Sequence, residues 1–405
     1  MSEQRKIRVA VVFGGRGPEH AVSCMGGGNM LGSIDRSKYD VVPIGITRDG
    51  GWVQVADEPA RLAVSGGELP SVEAAAVPGA PVLPGTSVMP WARAGAFVTS
   101  SPGQIPPLLG EVDVVLPVLH GPFGEDGTLQ GLLEIAGVPY VGAGVLSSAV
   151  SMDKEYMKII FRAKGLPVGP HVVVRERDWP VTAGPAAAAA LPAGTGGAVP
   201  AAGEVPASPE HKRTLDEIAE LGWPLFVKPA RGGSSIGTSR AEDMAELHQA
   251  IAVARQYDPK VLVEAAIAGR EIEVSVLEGL HGGPPDTSLP GQLLIDGGEE
   301  FWDFEAKYLD EASGMAIPAP IPAADLAEIR RLAGLAFEAV SCEGLARVDF
   351  FYTPDRQIFV NEINTIPGLS PASYFQKMWE ASGLQFGDLI DRLLQTALGK
   401  RRGLR

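Results

Sequence analysis

Two cysteines in 405 residues, Cys24 and Cys342, are too few and too far apart for a disulfide framework or a thiolate metal site. They fit a reducing compartment. Positive charge is scarce as well: 34 Lys and Arg against 49 Asp and Glu leave a net charge of −15. That argues against nucleic acid or an anionic membrane as the main partner, so a polyphosphate ligand would have to be met by individually placed basic residues. Long apolar runs are missing too. The one uncharged stretch long enough to span a bilayer, residues 181–203, is Ala, Gly and Pro with Pro185, Pro192 and Pro200 inside it. That composition describes a flexible insertion, not a membrane helix. The charged N-terminus runs straight into a strand, so no signal peptide is expected and the cytoplasm is the expected location.

What is present is a chain long enough for two or three domains, 45% hydrophobic and 20% charged. Residues 7–13 form a buried-type strand that breaks at Gly14-Gly15-Arg16-Gly17-Pro18 and restarts as a helix over 19–31. Strand, glycine turn, helix opens a doubly wound α/β domain. The dinucleotide fingerprint is incomplete, because His20 stands where the third glycine belongs. A nicotinamide oxidoreductase is therefore disfavoured. Glu19 starts the new helix, and on position alone it complements the helix dipole. The functional alternative is a carboxylate facing the crevice, ready for an ammonium ligand. Further strands are expected at 41–47 and 112–119, then a His120-Gly-Pro-Phe-Gly-Glu-Asp-Gly127 loop, a helix at 128–136 and a short strand at 139–141. A helix over 151–163 carries Lys154 and Lys158, and lysine-rich helix faces are usually solvated.

A second motif follows strand 226–228. Lys228 is delivered into Pro229-Ala-Arg-Gly-Gly-Ser-Ser-Ile-Gly237, a Gly/Ser loop whose backbone N–H groups can cradle phosphate while the lysine adds a point charge. The lysine precedes the glycines, so this is not a Walker P-loop. The third motif is a hairpin, 347–352 and 357–364, turning at Pro354-Asp355. That turn puts Asp349 opposite Glu362 and Arg347 opposite Asn364, all four on one face beside Phe351 and Val360. Two carboxylates and an amide suit Mg²⁺. The competing reading is a salt-bridged sheet face in which Arg347 pairs with either acid.

In their order and number these motifs resemble the ATP-grasp superfamily and, within it, the D-alanine–D-alanine ligases. The residues carrying the likeness are Gly14-Gly15…Glu19-His20-x-Val22-Ser23, the 120–127 loop, Lys228–Gly237, Lys307-Tyr308, and Arg347-x-Asp349…Asn361-Glu362-x-Asn364-Thr365-x-Pro367-Gly368. The resemblance implies an α/β ATP-grasp fold: a Rossmann-like domain over 1–144, a central subdomain over 145–266 with the insertion near 181–209, and a C-terminal subdomain over 267–405. It implies ATP contacts from Lys154, Lys228, Ser235, Glu264, Ala265, Ile267, Glu271 and Lys307, and two Mg²⁺ ions (Mn²⁺ as a substitute) on Asp349, Glu362 and Asn364. Glu19 would bind the first D-alanine, linked through Ser234 to Tyr308. Ser373 and Tyr374 would receive the carboxylate of the second, and Arg347 with the Gly368 backbone would stabilise developing negative charge. His120 and the Tyr308–Ser234–Glu19 chain are both candidates for the base. The loop around Tyr308 is expected to close as a lid. A homodimer acting on D-alanine and ATP, with no nucleic acid or membrane partner, completes the expectation.

Overall fold

A computed structural model of the chain describes residues 5–73, 87–90, 96–100, 108–179, 209–233, 235–294 and 314–400. Strand β1 (Ile7–Gly14) shows how the first layer is built. Val9, Val11 and Phe13 enter one buried cluster, while Ala10 and Val12 enter another. A strand covered on both faces belongs inside a parallel sheet. β1 pairs in parallel with β2 (Tyr39–Ile46), and β3 (Trp52–Gln54) closes that edge antiparallel. A small separate sheet of β4 (Ser87–Pro90), β5 (Ala96–Ser100) and β6 (Leu108–Glu111) precedes β7 (Val114–Val118), the other parallel neighbour of β1. Helix α1 (His20–Ser33) covers one face and α2 (Thr128–Ala136) the other. The doubly wound opening is confirmed. The short strand expected at 139–141 is one parallel bridge, Tyr140 to Val115.

The expected helix at 151–163 is two helices, α3 (Val145–Met152) and α4 (Lys154–Ala163), broken at Asp153. Asp153 is extended and its carboxylate accepts from the Glu155 and Tyr156 N–H groups, so the chain stops one helix and caps the next at a single residue. Antiparallel strands β8 (His171–Arg175), β9 (Leu225–Pro229), β10 (Ser239–Ala241) and β11 (Lys260–Ala265) form a second sheet in the order β10-β9-β11-β8. Helices α5 (Pro209–Ala219) and α6 (Met244–Ala254) pack on it.

The third sheet contains β12 (Arg270–Leu277), β13 (Asp286–Thr287), β14 (Gly291–Leu294), β15 (Gly314–Ala316), β16 (Leu345–Tyr352) and β17 (Ile358–Asn364). Helix α7 (Ala323–Ala339) and residues Met157 and Phe161 of α4 share its core. Its final hairpin has the expected pairs, Arg347 with Asn364 and Asp349 with Glu362. A bulge between Asp349 and Phe350 then corrects the rest of the register: Val360, expected beside Phe351, lies opposite Phe350 and joins the buried core. After β17 come α8 (Tyr374–Ala381) and α9 (Phe386–Gly399), which pack against the first sheet. No described helix is long and apolar enough to cross a membrane.

Candidate active site

β16 and β17 present the polar face of the hairpin. The Arg347 guanidinium grips Asp349 with two 2.7 Å hydrogen bonds and lies 3.3 Å from Glu273 on β12. Asn364 donates to Asp349 at 3.0 Å, so its amide oxygen is the atom left to ligate. Across from them Lys154, the first residue of α4, reaches Glu362 at 3.0 Å and the Gly232 carbonyl at 3.0 Å. The Gly/Ser loop and the hairpin are thereby tied through one ammonium. The salt-bridged reading of the hairpin face is the one observed, with Arg347 on Asp349 and Lys154 on Glu362. The face is salt-bridged, and it carries two carboxylates and an amide in adjacent register. That all-oxygen donor set fits a hard divalent cation.

One turn further along α4, Lys158 is 2% exposed. It pairs with Glu264 on β11 at 3.0 Å and donates to the Asn361 carbonyl at the bulge. Reading Lys158 as a solvated helix lysine is therefore wrong: the break at Asp153 turns this face of α4 inward. Lys228, at the end of β9, meets the other oxygen of Glu264 at 2.5 Å. Burial alone would neutralise Glu264, but Lys158 and Lys228 outweigh it and hold its pKa at about 2. Burial pushes the Lys158 pKa down against the pull of Glu264. For Lys228 burial is outweighed by Glu264, Glu362 and Glu271, and its pKa is raised. Beside this cluster opens a pocket lined by Ala265, Ile267, Phe351 and Val360, with Lys158 and Glu264 at its polar end. Glu271 lies on β12 opposite Phe351, at the edge of the same region. Ser235 sits in the Gly/Ser loop with φ +58°.

The first sheet brings the third group of residues. Glu19 is 5% exposed and makes no side-chain capping hydrogen bond to α1. It faces Gly121 and Gly233, and at Gly121 (φ +68°) any Cβ would collide with a Glu19 oxygen. His20 is structural. The Val72 N–H donates to its Nε2, so Nδ1 is the donor to the Gly15 carbonyl. His120 differs from it. Its Nδ1 donates to the Ile366 carbonyl at 3.0 Å, while Nε2 is buried with no hydrogen-bond partner among the described residues. Burial lowers the His120 pKa, with Glu19 opposing and Arg347 reinforcing, so the ring is neutral and Nε2 keeps its lone pair.

Glu125, which the sequence does not single out, accepts from the Gly121 N–H at 2.7 Å and from the Ile366 N–H at 3.1 Å. Burial, then the charge of Glu19, push its pKa up to about 8. Its place in the 120–127 loop, five residues after His120, was the available signal. Ser373 N-caps α8 without using its hydroxyl on the helix and donates it to the Gly368 carbonyl. Tyr374 follows it, with Lys377 over its ring. Ser234, Lys307 and Tyr308, and with them the expected lid, lie outside the described residues.

Two family models match this chain: D-ala D-ala ligase N-terminus over residues 8–143 and D-ala D-ala ligase C-terminus over residues 204–395. A D-alanine–D-alanine ligase of Streptomyces coelicolor is 51% identical over 400 residues, covering 98% of this chain and 95% of its own length. That of Kineococcus radiotolerans is 48% identical over 412 residues, covering all of both. Among solved structures, the D-alanine–D-alanine ligase from Coxiella burnetii superposes with a TM-score of 0.73 at 33% identity, covering 97% of this chain and 94% of that one. The VanG D-Ala:D-Ser ligase from Enterococcus faecalis gives 0.75 at 30% identity, covering 97% and 100%. The matches run the length of the chain and take in each of the three groups of residues above: the chain belongs to the D-alanine–D-alanine ligase family, with the ATP-grasp fold.

Proposed function

We propose that this protein uses ATP to join two D-alanines into D-alanyl-D-alanine through a D-alanyl phosphate, supplying peptidoglycan precursors. The observation that carries the reading is the meeting of the Arg347–Asp349–Glu362–Asn364 face with Lys154 and the Lys158–Glu264–Lys228 cluster beside an apolar pocket. The base of ATP would lie along Ala265, Ile267 and Phe351, with its phosphates toward the lysines. Asp349, Glu362 and Asn364 would hold magnesium, which would supply neutralisation of phosphate charge. Phosphoryl transfer needs mainly this and positioning.

Glu19 holds the ammonium of the first D-alanine, whose carboxylate attacks the γ-phosphate to release ADP. Ser373 and Tyr374, at the positive end of α8, take the carboxylate of the second D-alanine. His120 Nε2 accepts one proton from its ammonium. The amine nitrogen then bonds the acyl carbon, the carbon–oxygen bond to phosphate breaks, and the remaining proton leaves with phosphate as HPO₄²⁻. Arg347 and the Gly368 N–H serve as oxyanion donors, an effect of roughly 3 kcal/mol each. Among the candidates for the base, His120 is supported by its neutral tautomer and its open Nε2.

ADP release with D-alanine, compared with L-alanine, tests the activity. An Asp349→Ala, Glu362→Ala double variant is expected to lose at least roughly 1,000-fold in dipeptide formation. Parent-level turnover in that variant would remove the site assignment. A cytoplasmic homodimer is part of the proposal. The two buried, free cysteines support the compartment, the family resemblance carries the dimer, and light scattering checks it.

A further inference from the structure

Glu125 belongs to none of the steps above, yet its carboxyl group joins two loops that meet at His120. One oxygen accepts from Gly121, the neighbour of His120 in sequence, and the other accepts from Ile366. The Ile366 residue is thus held at both ends, its N–H by Glu125 and its carbonyl by His120 Nδ1. We propose that Glu125 is a positioning residue that fixes the tautomer and direction of the His120 ring by anchoring the backbone on either side of it.

The chain of contacts is short and closed: Glu125 to Ile366, Ile366 to His120, His120 to Gly121, Gly121 back to Glu125. Losing the Ile366 anchor lets its carbonyl drift, and with it the only acceptor among the described residues that holds Nδ1 protonated. Nε2 would then swing away from its place near Glu19 and Arg347, both of which act on its charge. The oxyanion donor two residues further on has its own supports. Ser373 donates to the Gly368 carbonyl and Asn29 donates to the Leu369 carbonyl at 2.7 Å. The effect of Glu125 is accordingly confined to proton removal, which separates it from a general loosening of the loop.

This rests on the ligase reading, and the test keeps the two apart. Hydroxylamine is a largely neutral nucleophile at pH 7 and traps an acyl phosphate without a base, giving D-alanyl hydroxamate. Glu125→Gln puts an amide N–H₂ against one of two N–H donors, so one anchor is lost. Expected is a roughly tenfold fall in dipeptide formation with hydroxamate formation within about twofold of the parent. His120→Asn keeps a donor for the Ile366 carbonyl and deletes Nε2. It is expected to cost roughly 100-fold in dipeptide with the same sparing of hydroxamate.

The double variant should be no worse than His120→Asn alone, because both act through one ring. Should Glu125→Gln not accumulate as folded protein, Glu125→Asp, too short to reach both donors, carries the same comparison. A parallel fall in dipeptide and hydroxamate, no fall in either, or multiplying losses in the double variant would overturn the proposal. Failure of the parent to make ADP or hydroxamate from D-alanine would instead overturn the ligase reading.

Discussion

Glu264 sits between two ammonium groups in surroundings that would otherwise drive it neutral. Its pKa of about 2 in the folded protein lies below its ordinary value of 4.5, so its contribution to stability is complete above about pH 4.5. It fades as the pH falls toward 2. Lys158→Met leaves this carboxylate buried with one partner and is expected to cost about 3 kcal/mol at pH 7. The difference from the parent should shrink on acidification, as Glu264 takes up its proton in both proteins. Urea unfolding at several pH values between 2 and 7 measures it, and a pH-independent difference would contradict the argument. Lys158 also marks the limit of the sequence at this scale. Residue type and helical spacing place Lys154 and Lys158 on one face, but which way that face turns is decided by packing against β11 and β17. Glu125 was hidden for a related reason. A carboxylate in a Gly-rich loop reads as solvated until the Ile366 N–H, 241 positions away, is brought to it.

At the scale of elements, the break between α3 and α4 aims both lysines. Asp153 caps α4, and its carboxylate also takes the Lys260 ammonium with both oxygens at 2.6 Å. Asp153→Ala is expected to cost about 2 kcal/mol of stability, more than a cap alone, since a half-buried ammonium loses a partner. It should also raise the KM for ATP several-fold with a smaller change in kcat, measurable by ADP release over an ATP series. A Ser-Met-Asp-Lys run offers this cap to a sequence reader, yet an uninterrupted amphipathic pattern outweighs it. The hairpin was more legible. Its alternation of two places Asp349 opposite Glu362 without any structure. The extra residue at the bulge leaves no mark on that alternation, so Val360 was assigned to the wrong face, and the Asn361 carbonyl that receives Lys158 went unnoticed.

For the whole molecule, the layers of the first sheet followed from strand, glycine turn and helix, while long-range closure did not. Helices α8 and α9 supply Phe375, Trp379, Leu389, Ile390, Leu393 and Leu394 to the core that holds Val9, Val11 and Phe13. Tyr39 on β2 adds a 2.7 Å hydrogen bond to Asp391 on α9. Amphipathic helices announce that they will be covered, but not by which sheet. Residues 1–143 expressed alone keep α1 on that face of the first sheet but should expose the patch that α8 and α9 cover, bind a hydrophobic dye and self-associate, as gel filtration would record. Adding residues 374–399 as a separate peptide should reduce dye binding.

The shared core of β1 and α9 also sets an order of events during synthesis. A nascent chain leaving the ribosome can form its first parallel strands and α1 early, but the part of that core filled by α8 and α9 stays uncovered until residues 374–399 have been made. Throughout that interval the strands around β1 wait for helices that follow far later in sequence, and it is there that a chaperone would find something to hold.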